Sequence, residues 1–163
     1  MSEYDCGFQR ENRRFRYRAG GILIHDGKML FVKSSFGDYF YIVGGAVEMG
    51  ERSDVCAVRE IFEETGIKAD IDRLAVVCEN FFHGVGGVID GCDCHTIEFY
   101  YLLSASDADI CVCRELNDEG EQLVWLPLEE IPNSDIKPTF IRERIDDIVH
   151  GSGMLHIIEE RDR

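Results

Sequence analysis

The densest cluster of side chains that could do chemistry lies between Gly44 and Ile67, where several glutamates surround one short predicted helix. On a helix, Glu60 stands one turn before both Glu63 and Glu64, so the three carboxylates share one edge. Like charges held this close repel each other unless a cation neutralises them. Mg²⁺ and Mn²⁺ prefer oxygen ligands, and Mg²⁺ is typically held by a few carboxylates and substrate phosphates. The spacing therefore predicts a divalent-metal site suited to phosphate chemistry.

Other residues of the same run fit such a site. Arg59 lies four residues before Glu63 and eight after Glu51, so its planar guanidinium can orient a carboxylate through paired hydrogen bonds. Gly44 and Gly45 let the backbone pass close to the helix, where a carbonyl oxygen can join the metal ligands. A solvated acidic face is the ordinary alternative for a charge run on a helix. That alternative does not explain the accompanying glycines and arginine, so the metal site is favoured.

The elements that must position this cluster follow from the pattern of residues. Two β-prone runs between Phe15 and Ser34 flank His25-Asp26-Gly27-Lys28, whose Asp-Gly pair suits a tight hairpin turn. A short strand over 39–43 precedes the two glycines, and a helix over 53–65 follows them and ends at Gly66. Apolar residues at three- and four-residue steps predict the buried face of this helix: Val55, Val58, Ile61 and Phe62.

The second half of the chain adds strands and one more helix. Residues 74–82 and 97–103 are β-prone and flank a long glycine-rich loop, and a further strand covers 122–126. A helix is predicted over 138–150, with a buried stripe of Ile141, Ile145, Ile148 and Val149. The β-prone segment 155–158 and its charged tail can pair with a sheet edge or with a second copy, as a homodimer. Helices before and after a group of strands predict an α/β fold, with a mixed sheet covered on both faces.

Length and composition limit the possible functions. The 163 residues, 45% of them hydrophobic, fit a single domain over 1–163 that can bury its own core. A net charge of −15 argues against nucleic-acid polymers and anionic membranes as partners, whereas a metal ion can still recruit a small anionic substrate. The N-terminal residues lack the apolar core of a signal peptide, and no apolar run approaches the length of a membrane span. We therefore expect a cytoplasmic protein.

The seven cysteines form no regular framework, and reduced thiols are the simplest interpretation. Cys92-Asp-Cys94-His95, together with Cys111-Val-Cys113, offers the ligand types that zinc prefers. Common zinc modules place two residues between paired cysteines, and here there is one. Alternation along a half-buried strand explains Cys111 and Cys113 equally well, because a free cysteine packs as a small apolar residue. Packing is favoured over zinc.

The run from Gly45 to Ile67 resembles the complete Nudix box, G-x5-E-x7-R-E-U-x-E-E-x-G-U, in which U is aliphatic. A looser resemblance extends to the opening hairpin, to Gly44-Gly45-x-x-Glu48 and to Trp125-x-Pro127-x-x-Glu130. It implies a Nudix-type α/β/α sandwich that uses Mg²⁺ or Mn²⁺ to hydrolyse a nucleoside diphosphate linked to another group. The fixed positions of the box are all matched here: Gly45, Glu51, Arg59, Glu60, Ile61, Glu63, Glu64, Gly66 and Ile67.

The same resemblance assigns roles to individual residues. Glu60, Glu64 and the Gly44 carbonyl would be metal ligands, and Glu63 would be a ligand or a base acting through water. Glu51 and Arg59 would orient these groups. Since the base in this family sometimes lies outside the box, three further carboxylates are candidates for it: Glu98, Glu119 and Glu121.

Substrate contacts are less well defined. Phe81, Phe82 and His83 lie beside the glycine-rich loop, where their rings either stack on a base or support the core and the loop. Tyr41 raises the same question, with packing favoured. The family often has proline before the double glycine, where this chain has Val43. Sequence features associated with dinucleotide subfamilies are also absent, which weakens NADH and ADP-ribose as substrates.

The resemblance leaves two classes of function. The first is a pyrophosphohydrolase acting on a nucleoside triphosphate, a nucleotide sugar or a similar small molecule. The second is a Nudix-fold domain that binds a nucleotide as a sensor without cleaving it. Loss of box carboxylates would favour the sensor, and no box carboxylate is lost here. An isomerase built on this fold would be expected to carry extra histidines and a catalytic cysteine that the sequence does not reveal.

Overall fold

The computed structural model describes residues 4–160, which form ten strands and four α-helices. The helices are α1 (Ser53–Thr65), α2 (Asp107–Ile110), α3 (Phe140–Glu143) and α4 (Ile145–His150). Short 3-10 helices cover Gly87–Ile89 and Leu128–Asn133. The strands are β1 (Gly7–Arg10), β2 (Arg13–His25), β3 (Lys28–Lys33), β4 (Phe40–Tyr41), β5 (Gly44–Ala46), β6 (Asp70–His83), β7 (Asp93–Ser104), β8 (Leu123–Pro127), β9 (Ile136–Lys137) and β10 (Leu155–Glu160).

The strands form a mixed sheet with the long strand β2 at its centre. The main order is β10-β6-β7-β2-β3-β4-β9, while β1 and β5 also pair with β2 and β8 pairs with β3. The pairs β2–β7, β10–β6 and β4–β9 are parallel, and the remaining pairs are antiparallel. The predicted hairpin is confirmed, since β2 and β3 pair through a turn in which Asp26 and Gly27 have φ of 47° and 72°. Positive φ at both positions is what a tight turn of this kind requires.

Two apolar cores, one on each face of the sheet, confirm the predicted α/β/α arrangement. On one face, Ile61 and Ala57 of α1 pack with Leu103 and other buried residues of the strands. On the opposite face, Ile141 and Ile148 of the C-terminal helices pack with another set of strand residues. Each helix layer buries one face of the sheet, so the strand ends between the layers are left to form a site.

The helix bounds Ser53–Thr65 are confirmed, and Gly66 ends α1 with a left-handed φ of 81°. Its predicted buried face is partly wrong, because Val55 and Phe62 are 50% and 46% exposed. The fully buried residues are instead Cys56, Ala57, Ile61 and Thr65. The helix approaches β2 closely at Gly21, where an added Cβ would lie 2.7 Å from Ile61 Cγ1. The predicted Ile61 is thus confirmed as a core residue of α1, packed directly over β2.

Two further sequence expectations are corrected. The single helix over 138–150 is divided into α3 and α4, because Arg144 has a non-helical φ of −122° and its Nε donates to Asp147 at the start of α4. Cys111 and Cys113 lie in the turn after α2 rather than in a half-buried strand, and Cys111 is exposed.

The C-terminal segment pairs with an edge of the sheet, which confirms one of the two predicted alternatives. Residues 155–160 form β10, which runs parallel to β6 along its whole length. The last three residues of the predicted charged tail, 161–163, lie outside the described residues. No helix within residues 4–160 is both long and apolar enough to span a bilayer.

Candidate active site

The glycine pair forms β5, which runs antiparallel to β2 and places Gly44 opposite Gly20 and Gly45 opposite Ala19. A Cβ on Gly44 would lie 2.4 Å from the Ala19 carbonyl oxygen, so this position has no room for a side chain. A Cβ on Gly45 would lie 2.3 Å from Oε1 of Glu60. Gly44 is therefore required sterically, because its neighbours are backbone atoms, and Gly45 leaves the space that the Glu60 carboxylate fills.

Arg59 is the centre of a hydrogen-bond network that holds the box carboxylates. Its Nε and Nη2 donate to Oε1 and Oε2 of Glu51 at 2.8 and 3.0 Å, as a paired fork. Its Nη1 donates to Glu60 Oε1 at 2.8 Å and to Glu63 Oε2 at 3.0 Å. The hydrogen bonds from Arg59 hold the pKa of Glu51 below its ordinary value, although burial opposes this. The predicted contact between Arg59 and Glu51 is thus present.

Glu60 and Glu64 are the two glutamates of the cluster whose pKa values are raised. Burial, and then the negative charge of Glu60, raise the pKa of Glu64 to about 7. Burial also raises the pKa of Glu60, with Arg59 and Arg18 opposing it. Asn117 Nδ2 contacts Glu64 Oε2 at 3.4 Å, which brings the loop before β8 to the edge of α1. Glu60 and Glu64 are therefore two neighbouring, partly buried carboxylates whose pKa values are both raised.

This donor set fits a hard divalent cation. Among residues 4–160, no three side chains of His, Cys, Asp or Glu already lie together as ligands of a metal ion, and Arg59 occupies one oxygen each of Glu60 and Glu63. Glu64 accepts a hydrogen bond from the backbone of Gly44, and the Glu60 carboxylate lies beside Gly45, so two carboxylates of the kind that Mg²⁺ and Mn²⁺ prefer lie along this backbone.

Arg18 joins this cluster to the rest of the sheet and was not identified from the sequence. Its Nη2 donates to the Gly44 carbonyl at 2.8 Å, and its Nη1 lies 3.8 Å from Glu98 Oε1. Glu98 is only 3% exposed and accepts hydrogen bonds from Thr96 at 3.0 Å and from Tyr100 at 2.6 Å. Both oxygens of this candidate base therefore already have donors.

The loop before β8 carries the other two candidate bases. Glu121 is buried and accepts from Tyr41 Oη, and from the backbone N–H and the hydroxyl of Ser35 at 2.7 and 2.8 Å. Burial raises the pKa of Glu121, but these hydrogen bonds outweigh it and leave the pKa below its ordinary value. Glu119 is exposed, two residues after the Asn117 that contacts Glu64. Tyr41 is thus engaged with Glu121.

The aromatic candidates Phe81, Phe82 and His83 lie at the end of β6. Phe81 packs on the His95 ring with centroids 4.4 Å apart, which favours a packing role for it. His83 is exposed and its Nδ1 is 3.0 Å from Asp93. In the sheet, Cys78 of β6 is paired with Glu98 of β7, and Glu98 is paired with Arg18 of β2. Phe81 lies three residues after Cys78, so the three rings begin three residues farther along the sheet than Arg18.

Of the two site residues that were not predicted, Arg18 and Asn117, only Arg18 belongs to a pattern that is visible in the sequence. The run Arg14-Phe15-Arg16-Tyr17-Arg18 alternates basic and aromatic residues, which on a strand places all three arginines on one face. Asn117 has no comparable pattern, because its position depends on how the loop before β8 folds.

Comparison with protein-family models gives a match to the NUDIX domain over residues 14–147, which is most of the chain. Among curated proteins, a MutT-like protein of Streptomyces ambofaciens is 30% identical over 74 residues, 45% of this chain and 48% of that protein. Diphosphoinositol polyphosphate phosphohydrolase 3-alpha of Mus musculus is 39% identical over 54 residues, 33% of each chain. The chain thus spans about half the length of the first relative and a third of the second.

Solved structures resemble the fold over nearly its whole length. A NUDIX hydrolase from Nitrosomonas europaea superposes with a TM-score of 0.67 at 16% identity, covering 94% of this chain and 82% of that one. A MutT protein from Methanosarcina mazei Go1 superposes with a TM-score of 0.59 at 19% identity, covering 87% and 97%. At these identities the likeness shows the fold.

Proposed function

Because this chain belongs to the Nudix family, we propose that it hydrolyses the pyrophosphate bond of a nucleoside diphosphate linked to another group, using Mg²⁺ or Mn²⁺. The observation that carries the proposal is the buried pair Glu60 and Glu64 beside the backbone of Gly44. A helix with a purely structural role is not stabilised by removing two carboxylates from water where too few positive charges neutralise them. A metal site needs this shortage, since the incoming cation supplies the missing charge.

In this proposal the metal is held by Glu60, Glu64 and the Gly44 carbonyl. When bound, a divalent ion neutralises the diphosphate and lowers the pKa of a coordinated water. Glu51 fixes Arg59 through the paired hydrogen bonds, and Arg59 in turn aligns Glu60 and Glu63. Arg18 donates to the Gly44 carbonyl and so fixes the orientation of the peptide that carries it.

We assign the proton-accepting role to Glu63 or Glu119. Glu63 is about half exposed and its one hydrogen bond from Arg59 leaves an oxygen available, while Glu119 is exposed in the loop that reaches Glu64. Glu98 and Glu121 are buried and already accept hydrogen bonds, so a proton transferred to either would disrupt those contacts. We propose that Glu121 instead holds Tyr41 and the segment around Ser35 in place.

The proposed substrate is a small nucleotide, such as a nucleoside triphosphate or a nucleotide sugar. Because one relative is named a diphosphoinositol polyphosphate phosphohydrolase, diphosphoinositol polyphosphates are also among the compounds to be tested. The net charge of −15 supports a small molecule over a nucleic-acid polymer or a membrane. We propose a cytoplasmic, single-domain enzyme. A homodimer remains a proposal to be examined by sedimentation.

The test is a hydrolysis panel followed by ³¹P NMR. It includes nucleoside triphosphates, nucleotide sugars, ADP-ribose, dinucleoside polyphosphates and a diphosphoinositol polyphosphate, each with Mg²⁺ or Mn²⁺. Glu64→Gln should lower the rate on any cleaved compound by about a thousandfold, because it removes a proposed metal ligand with little change in shape.

Glu129→Gln is the matched control, since Glu129 is exposed on the distant 3-10 helix Leu128–Asn133. It should retain the wild-type rate. A wild type that cleaves nothing and binds one compound tightly would replace this proposal with the sensor function. Equal rates for Glu64→Gln and wild type would show that the metal assignment is wrong.

A further inference from the structure

Three arginines, Arg14, Arg16 and Arg18, occupy alternate positions of β2 and therefore lie on one face of the sheet. We call them the arginine row. On the neighbouring strand β7, the residues paired with them are Cys94, Thr96 and Glu98. The row begins at the proposed metal site, where Arg18 donates to the Gly44 carbonyl, and it runs away from that site along β2.

The members of the arginine row differ in how their charge is balanced. Burial lowers the pKa of Arg18, but the nearby Glu98, Glu64 and Glu60 outweigh it and leave that pKa raised, whereas Arg16 is the member whose charge is least balanced. Arg14 is 6% exposed, and Arg16 and Arg18 are partly buried. Burial lowers the pKa of Arg16 to about 10, and the next two causes are the positive charges of Arg18 and Arg14. Glu98 is the one carboxylate among the main influences on Arg16, and it lies closer to Arg18. A chain of net charge −15 thus concentrates guanidinium groups where they repel each other.

The row also contains buried donors that the protein does not use. Arg14 Nε and Arg18 Nε are buried without a hydrogen-bond partner among residues 4–160. Buried polar atoms are rarely left unpaired, because each one costs the free energy of its lost hydration. Unused donors beside surplus positive charge indicate a place for an anion.

The surface over the row is hollow and bounded by a loop. One cleft is lined by Arg14, Arg16 and Val88, with Asp5 also in its lining, and a second, much smaller one is lined by Arg18, Gly44 and Glu98. The guanidinium of Arg14 donates to the carbonyl of Val88, which fixes the loop between β6 and β7 at the far end of the row. The tip of that loop rests on Phe36, whose ring leaves no room for a side chain at Gly86.

We propose that the arginine row binds a further phosphate group of the substrate, in addition to the diphosphate that is cut. This inference rests on the proposed function, because it places the diphosphate at Glu60, Glu64 and Gly44. The planar fork of a guanidinium matches phosphate oxygens in pairs, and partial burial strengthens such a contact relative to open water. The preferred substrates are then multiply phosphorylated compounds rather than those whose only charge is the diphosphate.

The test compares probes that differ by one phosphate monoester. Coenzyme A is paired with 3′-dephospho-coenzyme A, and NADPH with NADH, in calorimetric titrations with Mg²⁺, with ³¹P NMR to verify that each probe stays intact. Wild type should bind the extra-phosphate member of at least one pair about tenfold more tightly. Arg16→Gln should remove that preference and leave the affinity for the partner lacking the phosphate unchanged.

Arg13→Gln is the matched control, because Arg13 lies on the same strand, is exposed and faces the opposite side. It makes the same change in net charge and should retain the preference. Arg16→Lys, which keeps the charge and loses the fork, should give an intermediate preference, and circular dichroism verifies the fold of each variant.

Three results would overturn the inference: no preference in wild type for either pair, a preference that survives Arg16→Gln, or an equal loss in Arg13→Gln. The proposed function is judged separately, by hydrolysis. A wild type that cleaves nothing but shows an Arg16-dependent preference would refute the enzyme and keep the phosphate site, whereas cleavage without any preference would do the reverse.

Discussion

The acidic edge of α1 and the arginine row of β2 are built in the same way with opposite signs. Each repeats one charge at the period of its element, three and four residues on the helix and two on the strand. They differ in how that charge is balanced. Arg59 lies within the acidic edge and binds Glu51, Glu60 and Glu63, whereas burial and the charge of Glu60 raise the pKa of Glu64. In the arginine row, Glu98, Glu64 and Glu60 balance Arg18, whereas Arg16 is repelled by Arg18 and Arg14 and has Glu98 as the one carboxylate among its main influences.

The two regions meet at Gly44, whose carbonyl accepts a hydrogen bond from Arg18 and whose backbone N–H donates to Glu64. A divalent cation with a phosphorylated ligand would bring positive charge to Glu64 and negative charge to Arg16 at once. The difference teaches that the acidic side is ordered by its own arginine before any metal binds, whereas on the basic side two further arginines are among the main influences on Arg16.

The largest expected effect comes from breaking the acidic side sterically, with Gly45→Ala. The new Cβ would meet the Glu60 carboxylate at 2.3 to 2.5 Å, and a flexible side-chain end moves more easily than backbone. We expect hydrolysis to fall about a hundredfold, because a ligand misplaced by about 1 Å weakens catalysis by that order. The free energy of unfolding in urea should change by less than about 1 kcal/mol.

Gly153→Ala is the control for this variant, since no atom lies within 4 Å of the position a Cβ would take there. It should match wild type in both measurements. An active Gly45→Ala enzyme would show that the position of Glu60 in this structure is not the one that matters.

The next effect comes from cutting the contact that joins the two regions, with Arg18→Gln. Glu98 would then remain buried without its cation, and we expect unfolding in urea to become easier by about 2 kcal/mol. The double variant Arg18→Gln with Glu98→Gln should regain part of this loss, because no uncompensated charge is left. Arg13→Gln serves again as the control. Additive losses in the double variant would mean that the two side chains are not coupled.

The smallest effect is a pH dependence of the acidic side. The pKa of Glu64 is raised to about 7, so below that pH its carboxyl is protonated and a poor metal ligand. Metal affinity should rise with pH by at most about tenfold per unit below 7, and level off above it. For the metal-free protein the sign is opposite, because a raised folded-state pKa makes stability fall as the pH rises from the ordinary glutamate value of about 4.3 to about 7.

Urea unfolding in EDTA at pH 5 and pH 7.5 measures this second effect. Glu64→Gln should be less sensitive to pH than wild type, since it lacks the titrating carboxyl. A wild type whose metal-free stability rises between these pH values would contradict the account of Glu64.

Sequence reasoning was accurate where a short segment decides its own structure. The bounds of α1, its stop at Gly66 and the Asp26-Gly27 turn depend on local periodicity and on residues that accept positive φ. It failed where distant residues decide. Helical spacing assigns Phe62 to the core, but the side of α1 that meets the sheet is the one carrying Cys56, Ala57 and Ile61, and Phe62 is 46% exposed.

The arginine row shows the same limit for the site. Its alternation is visible in the sequence, but its meaning depends on β7 lying beside β2 and on the loop that Arg14 fixes at Val88. Neither contact can be deduced from β2 alone. Glu119 and Glu121 are candidate bases on sequence grounds, whereas the hydrogen bonds that occupy Glu121 can be seen only in three dimensions.

The central claim, that the acidic edge holds a divalent cation, can be tested without knowing the substrate. Mn²⁺ is titrated calorimetrically into wild type, Glu60→Gln, Glu64→Gln and the control Glu129→Gln at pH 7.5. Wild type and the control should bind Mn²⁺ alike, and each box variant should bind it at least about tenfold more weakly. Equal affinity in all four proteins would contradict the account.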